Sequence, residues 1–134
     1  MTLDDLWAEV FLSYKAVALP HMPNFFMLNG PFSPGGSMSI MEIIENHTLF
    51  VGQLIRRALD EDVLIAPSRK STEAHIAEIR ERAQKTVWFT GGCNSWYLDA
   101  KGVPLVNPVT VAQLQDMMRA PDYDDFVVRK LEEA

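Results

Sequence analysis

The chain has 134 residues, of which 48% are hydrophobic and 22% charged, so it suits one globular domain rather than a disordered, collagen-like or coiled-coil chain. Its net charge of −6 disfavours nucleic acid or an anionic membrane as the main partner. The single cysteine, Cys93, excludes an internal disulfide framework. Together with an acidic N-terminus and no apolar stretch of membrane-spanning length, it favours a cytoplasmic protein.

The first half of the chain contains a predicted strand, an irregular loop and a long helix. The apolar run Phe25–Leu28 lies between turn residues, which predicts a strand buried on both faces. Glycine and proline crowd the segment 29–39 and exclude regular structure there. Ser39, with Glu42 three residues later, forms a capping-box pattern. Apolar residues then recur at helical spacing and predict a helix over about 40–60.

The second half alternates short strands and helices. Four predicted elements follow the long helix: a strand at 63–66, a helix capped by Ser71 or Thr72, a hairpin over 95–106 with its turn at 99–102, and a helix begun by the capping box of Thr110 and Gln113. The acidic tail, 122–134, is expected to be frayed.

The loop before the long helix is the first candidate for a functional site. A helix N-terminus carries free N–H donors and a partial positive charge, and glycine lets a ligand approach the backbone closely. The loop is therefore suited to the acceptor oxygens of a cofactor, although its spacing matches neither a G-x-G-x-x-G fingerprint nor a Walker loop. The alternative is a plain connection that needs turn residues.

The segment 86–97 is the second candidate, because two tryptophans and a tyrosine surround a glycine pair. Such aromatic residues can form a stacking wall for a flat ring, or they can simply fill the core of a hairpin. His47 lies on the apolar face of the long helix, which favours a buried core histidine. No histidine or cysteine has metal-ligand spacing and no serine lies in a nucleophile elbow, so we expect neither a metal nor a catalytic residue.

Two segments resemble the last part of flavin-dependent Baeyer–Villiger monooxygenases, within the wider flavin-containing monooxygenases. The first is P-N-F-F-M-L-N-G-P at 23–31, followed by S-P at 33–34 and I-E-N-H at 44–47. The second is G-C-N-S-W-Y-L-D-A-K-G at 92–102, which is similar to the late G-C-x-S-W-Y-x-D-x-x-G segment of that family. The order and separation agree, and the resemblance runs over about 12–127.

The resemblance implies an α/β fold class, as the C-terminal fragment of a flavoprotein with two dinucleotide-binding domains. This fragment is expected to be mostly helical, with a few short strands and a late hairpin. Family members are several times longer and carry two G-x-G-x-x-G turns, which this sequence lacks. The implied organisation is a single unit over 1–134, with the closing strand and helix of the FAD domain at about 24–60 and a helical and hairpin tail at about 63–134.

The resemblance also implies part of an FAD- and NADPH-dependent monooxygenase that inserts one oxygen atom of O₂ into a ketone or a similar small organic substrate. This chain alone is expected to be inactive. The residues implied near the cofactors are Asn29, Gly30, Pro31, Gly36, Ser37, Met38, Ser39 and Ile40 for FAD, and Trp96 for NADPH. Those implied in the substrate pocket are Pro34, Gly35 and Gly36.

The expected partners are a small-molecule substrate and, through exposed apolar faces, the rest of the monooxygenase or a second copy of the chain. An alternative from a different class is a stand-alone, non-catalytic module that binds a ligand or completes another subunit.

Overall fold

Helices dominate the fold, and a small antiparallel sheet joins the middle of the chain to its end. The computed structural model describes residues 1–36, 38–92 and 97–133. The helices and strands in chain order are α1 (Leu3–Leu6), α2 (Ile40–Glu61), β1 (Val63–Pro67), α3 (Arg69–Ala83), α4 (Val87–Thr90), α5 (Val111–Met117) and β2 (Phe126–Lys130). Two 3₁₀ turns flank β2, at Tyr123–Asp125 and Leu131–Glu133.

The long helix α2 confirms the predicted helix over about 40–60. Ser39 caps its start, because the Ser39 hydroxyl accepts the Met41 N–H over 3.2 Å. Glu42 does not complete the predicted capping box; its carboxylate instead accepts a hydrogen bond from the Gln115 side chain. The helix ends at Asp62, which adopts a left-handed conformation. One face of α2 lies in the core through Ile43, His47, Phe50, Val51 and Leu54.

The strand β1 confirms the strand predicted at 63–66, and its partner is the tail. β2 pairs with it antiparallel, with Val63 opposite Lys130 and Pro67 opposite Phe126. The prediction of a frayed tail at 122–134 is therefore wrong over most of that segment. The prediction gave weight to the acidic residues of the tail and not to the apolar run that begins at Phe126. The Phe126 side chain lies in the core and is 8% exposed.

The strand predicted at Phe25–Leu28 is wrong. Only Phe26 makes a bridge, to Ala18, and Phe25 and Leu28 are 47% and 48% exposed. Asn24 and Asn29 flank the run in left-handed conformations, which interrupt an extended chain at both ends. The Asn24 side chain instead hydrogen-bonds the edge of β1, where it contacts the backbone of Val63 and Ile65.

The other predicted elements agree with the structure except at one helix start. Helix α3 begins at Arg69 under a cap from Ser68, three residues before the predicted cap at Ser71. Helix α5 starts with the predicted capping box of Thr110 and Gln113. In the described part of the predicted hairpin, Leu98 and Pro104 form an antiparallel bridge.

The segment 12–19 lies between two groups of buried apolar side chains. Tyr14, Val17 and Ala18 pack with α2, β1, α5 and β2, whereas Leu12 and Leu19 pack with Leu6, Phe32, Ile76 and Ile79. Lys15 and Ala16 adopt positive φ angles and allow a tight turn, which the hydrogen bond from the Tyr14 N–H to the Ala18 carbonyl closes over 2.8 Å. Residues 12–19, named the floor segment below, lie against the loop that precedes α2.

Candidate functional site

The turn at 29–31 is held against the floor segment by two hydrogen bonds. The Gly30 N–H donates to the Ala16 carbonyl oxygen over 3.0 Å, and the Ser13 hydroxyl donates to the Pro31 carbonyl oxygen over 2.5 Å. A Cβ at Gly30 would lie 2.7 Å from the Ala16 oxygen, so no side chain fits there. Glycine at this position is therefore required by the close approach of two backbone segments.

A third hydrogen bond ties the same turn to α2. The Asn29 N–H donates to His47 Nδ1 over 3.0 Å, and Asn29 itself has a φ of 58°. His47 is fully buried, and this burial lowers its pKa to about 4. The imidazole is therefore neutral near pH 7, and because Nδ1 accepts a hydrogen bond, the proton is on Nε2. The predicted core histidine is confirmed, and it has a defined partner in the loop.

The far side of the loop is joined to the segment that follows the hairpin. The Phe32 N–H donates to the Leu105 carbonyl oxygen over 2.9 Å, and the Asn107 N–H donates to the Ser33 carbonyl oxygen over 3.0 Å. Phe32 has a φ of 64° and is 2% exposed, so its side chain anchors the loop in the core. The first half of the loop, residues 29–33, is thus fixed by hydrogen bonds to distant parts of the chain.

The glycine pair Gly35 and Gly36 lies against Trp88 and Val106. A Cβ at Gly36 would lie 2.6 Å from the Trp88 ring, and one at Gly35 would lie 2.9 Å from Val106 Cγ1. Gly36 also has a φ of 78°, which disfavours any side chain. Beside this contact is a mainly apolar cleft of about 400 Å³, lined by Gly35, Trp88, Pro108, Val109, Thr110 and Val111. Trp88 lies in the short helix α4 and not in the hairpin core considered for the aromatic segment.

The residues predicted near FAD fall on the loop and on the start of α2. Asn29, Gly36, Ser39 and Ile40 are exposed, whereas Gly30, Pro31 and Met38 are half-buried. Of the residues predicted in the substrate pocket, Pro34 is buried and bridged to Asn107, and Gly35 is half-buried. Ser37 and Trp96 lie outside the described residues. The N–H groups of Asn29 and Gly30 donate to His47 and Ala16, so they are not free to donate to a ligand.

The turn of the late hairpin is organised by Asp99. Its carboxylate accepts the N–H groups of Lys101 and Val103 over 2.9 Å each, and Arg80 Nη1 over 3.1 Å. Partial burial opposes ionisation of Asp99, but these hydrogen bonds and the guanidinium outweigh it and lower its pKa. The sequence predicted this turn. It did not predict the ion pair of Asp99 with Arg80 on α3, because the two residues are 19 positions apart and no local pattern connects them.

A polar cluster beneath α3 was missed by the sequence analysis. The Tyr14 hydroxyl donates to the Asp125 carboxylate, and Lys15 Nζ donates to the Met117 carbonyl oxygen over 3.2 Å. His75 packs against the Tyr14 ring, and burial lowers its pKa to about 4. Burial and the Asp125 contact also raise the pKa of Tyr14. Asp125 comes from the tail, Met117 from α5 and His75 from α3, so the spacing of these groups along the sequence gives no signal.

In residues 1–36, 38–92 and 97–133, no three His, Cys, Asp or Glu side chains are arranged to hold a metal ion. Over the same residues, none of the helices combines the length and the apolar character needed to cross a membrane.

Comparisons with known proteins relate the chain to monooxygenases. No family model matches it. An uncharacterized monooxygenase of Mycobacterium tuberculosis (strain ATCC 25618 / H37Rv) is 33% identical over 129 residues, which are 96% of this chain and 26% of that protein. A Baeyer-Villiger monooxygenase of Streptomyces coelicolor is 29% identical over 130 residues, 95% of this chain and 25% of that protein. The chain thus spans about a quarter of the length of the curated relatives that it matches.

Solved structures show the same fold. A cyclohexanone monooxygenase from Rhodococcus sp. Phi1, bound to NADP+, superposes with a TM-score of 0.80 at 20% identity, covering 96% of this chain and 25% of that one. An oxidized steroid monooxygenase bound to NADP gives a TM-score of 0.81 at 23% identity, covering 97% of this chain and 25% of that one. The mixed fold of helices with a two-stranded sheet is therefore that of the C-terminal region of these enzymes.

Proposed function

We propose that the chain is the C-terminal part of an FAD- and NADPH-dependent monooxygenase, because it shares sequence and fold with about a quarter of the length of Baeyer–Villiger-type monooxygenases. The complete protein inserts one oxygen atom of O₂ into a ketone or a similar small organic substrate. The observation that carries this proposal is the 33% identity over 96% of the chain to a monooxygenase four times its length. The loop and the start of α2 add separate support, since fold alone does not define an activity.

The loop and the start of α2 are proposed to hold the FAD ring. Hydrogen bonds with Ser13 and Ala16 hold the Gly30-Pro31 segment on one side. In the same loop Asn29 and Gly36 are exposed to solvent. The start of a 22-residue helix adds a partial positive charge beside it. In this proposal residues 29–31 and 36–40 hold FAD, which accepts hydride from NADPH and activates O₂ when bound.

Pro34, Gly35 and Gly36 are proposed to face the substrate. Two features support this: the glycine pair has no side chains of its own, and the mainly apolar cleft beside Trp88 is open to a small organic molecule. No general acid or base is assigned in this chain. Its residues orient the cofactor and exclude water, so the chain alone is inactive.

The rest of the monooxygenase is proposed to cover the outer face of α2. Along that face Met41, Ile55 and Leu59 are 63%, 42% and 72% exposed, although all three are apolar. Nothing lies within 4 Å of a Cβ placed on Gly52, which is in the middle of the same face. An apolar surface of this kind is typical of an interface with missing protein.

The test is flavin binding by the longer protein, or the complex, that contains this chain. We expect a bound-FAD absorption spectrum that NADPH bleaches in the absence of O₂. A protein that binds no flavin would instead favour the stand-alone module. The neighbouring coding sequence gives an independent answer, since two G-x-G-x-x-G turns upstream support the enzyme.

Trp96→Ala tests the assignment of NADPH to the late segment. We expect weaker use of NADPH by about 1–3 kcal/mol, the loss of one buried aromatic contact, with FAD still bound. Rates of flavin reduction over a range of NADPH concentrations measure the effect, and a melting curve provides the control. Unchanged reduction rates with a large fall in melting temperature would show that Trp96 serves only the fold.

A further inference from the structure

We propose that His47 is the positioning residue that fixes the Asn29 turn onto helix α2. The proposal concerns the hydrogen bond from the Asn29 N–H to His47 Nδ1, 3.0 Å long. Its consequence for the cofactor rests on the proposed function, but the contact itself does not.

The bond joins the two parts of the proposed FAD site. Asn29 begins the turn at 29–31, whereas His47 lies two helical turns inside α2, about 10 Å along the axis from Ile40 at 1.5 Å per residue. Because α2 is a continuous helix, the position of the buried His47 side chain also fixes the position of the helix N-terminus. The distance between the turn and the helix N-terminus is therefore set by this contact and by the loop that connects them.

Contacts on both sides of the half-exposed Leu28 hold the N-terminal side of the Asn29 turn. Before Leu28 the Met27 N–H donates to the Val17 carbonyl oxygen over 2.8 Å, beside the isolated bridge of Phe26 to Ala18, and after it the Asn29 N–H donates to His47. Asn29 is in a left-handed conformation, which costs free energy unless surrounding contacts stabilise it. On the C-terminal side, Gly30 and Pro31 are bonded to the floor segment.

The chemistry of His47 suits an acceptor and little else. Its side chain is fully buried, and among the described residues Nε2 meets no hydrogen-bond partner. The ring thus offers one lone pair to the loop, at Nδ1, and uses it. The neighbouring Asn46 does not substitute for it, since its amide bonds the Glu42 carbonyl oxygen of the same helix.

Three variants separate a positioning role from a general effect on stability. His47→Leu removes the acceptor, and His47→Asn restores one near the place of Nδ1 because its Oδ1 is attached at the same carbon. His75→Leu is the matched control. His75 is half-buried and its Nε2 also meets no hydrogen-bond partner among the described residues, but it lies in the polar cluster beneath α3.

The first readout is hydrogen exchange of the Asn29 amide, measured without added flavin on the protein or complex that contains this chain. We expect His47→Leu to speed exchange about tenfold or more, as the loss of one buried hydrogen bond implies, while His47→Asn retains most of the protection. His75→Leu should leave the Asn29 amide within about twofold of the parent chain once global stability is matched. Equal protection in His47→Leu, or equal loss in His75→Leu, would overturn the proposal.

The second readout is the FAD dissociation constant and visible spectrum of the flavin-loaded protein that contains this chain. We expect His47→Leu to weaken FAD about tenfold with an altered flavin spectrum, and His47→Asn to restore both. If the parent protein binds no FAD, the proposed function fails, and the exchange result still decides the contact. If FAD binds equally in all variants, the consequence for the cofactor is wrong.

Discussion

Gly30 shows at the scale of one residue how the loop depends on close backbone approach. The missing side chain lets its N–H reach the Ala16 carbonyl oxygen, over 3.0 Å. The sequence identified Gly30 as a turn residue and, through the resemblance, as a neighbour of the cofactor. It gave no indication of the contact with Ala16, because the two residues approach only when the tight turn at 14–18 forms.

Substitutions at two glycines should therefore have opposite effects on stability. In Gly30→Ala the new Cβ would lie 2.7 Å from backbone oxygen, and we expect the free energy of unfolding to fall by about 2–3 kcal/mol. In Gly52→Ala nothing lies within 4 Å, and we expect a gain of about 0.5–1 kcal/mol from helix propensity. Urea unfolding of both variants measures this. A harmless Gly30→Ala would contradict the observed packing.

The two buried histidines predict a dependence of stability on pH. The pKa values of His47 and His75 are about 4 in the folded chain, below the ordinary value of 6.5. Between pH 6.5 and 4 the unfolded chain binds protons that the folded chain does not, so the free energy of unfolding falls as the pH is lowered. At about 1.4 kcal/mol per pKa unit we expect a loss of about 3 kcal/mol from each group by pH 4, and none from them above pH 7.

Chemical unfolding at pH 7, 6, 5 and 4 measures this loss. Replacing both histidines by asparagine should flatten the curve between pH 6.5 and 4. A parent chain with constant stability over that interval would contradict the burial of neutral imidazoles.

At the scale of elements, local signals were sufficient where an element is stabilised by its own neighbours. Ser39 and Thr110 cap the helices that the sequence placed after them, and Asp99 closes the predicted turn. Non-local contacts were not predictable. The partner of β1 comes about 60 residues later in the sequence. The run at 25–28 has the composition of a strand, but within the described residues it forms an isolated bridge, from Phe26 to Ala18.

The tail should therefore contribute to stability despite its acidic composition. Phe126 is 8% exposed and packs edge-on against Tyr14, so we expect Phe126→Ala to lower the free energy of unfolding by about 3–4 kcal/mol. Val127→Ala, at a 49% exposed position of the same strand, should cost well under about 1 kcal/mol. Thermal melting of the two variants checks this, and similar melting temperatures would show that the tail does not pair with β1.

At the scale of the whole molecule, the chain exposes apolar surface on a helix whose opposite face is fully packed. Composition alone did not distinguish the two faces of α2, since both carry apolar residues. The structure assigns Phe50 and Leu54 to the core and leaves Met41, Ile55 and Leu59 outside it. This division supports an interface with further protein.

The isolated chain should accordingly self-associate or bind an apolar dye. We expect Leu59→Lys, at a 72% exposed position, to reduce both effects without lowering the melting temperature by more than a few degrees. Val87→Lys is the control, since Val87 is 76% exposed but lies on α4, away from that face. A parent chain that is a monodisperse monomer without dye binding would contradict the proposed interface.

Transfer of labelled oxygen tests whether this chain is part of a monooxygenase. The protein or complex that contains this chain is supplied with NADPH, ¹⁸O₂ and a panel of ketones, and the products are analysed by mass spectrometry. The account predicts a flavin-dependent product with one ¹⁸O atom per NADPH consumed, and no such product when this chain is removed. Oxidation of NADPH without labelled product, or labelled product that does not need this chain, would contradict it.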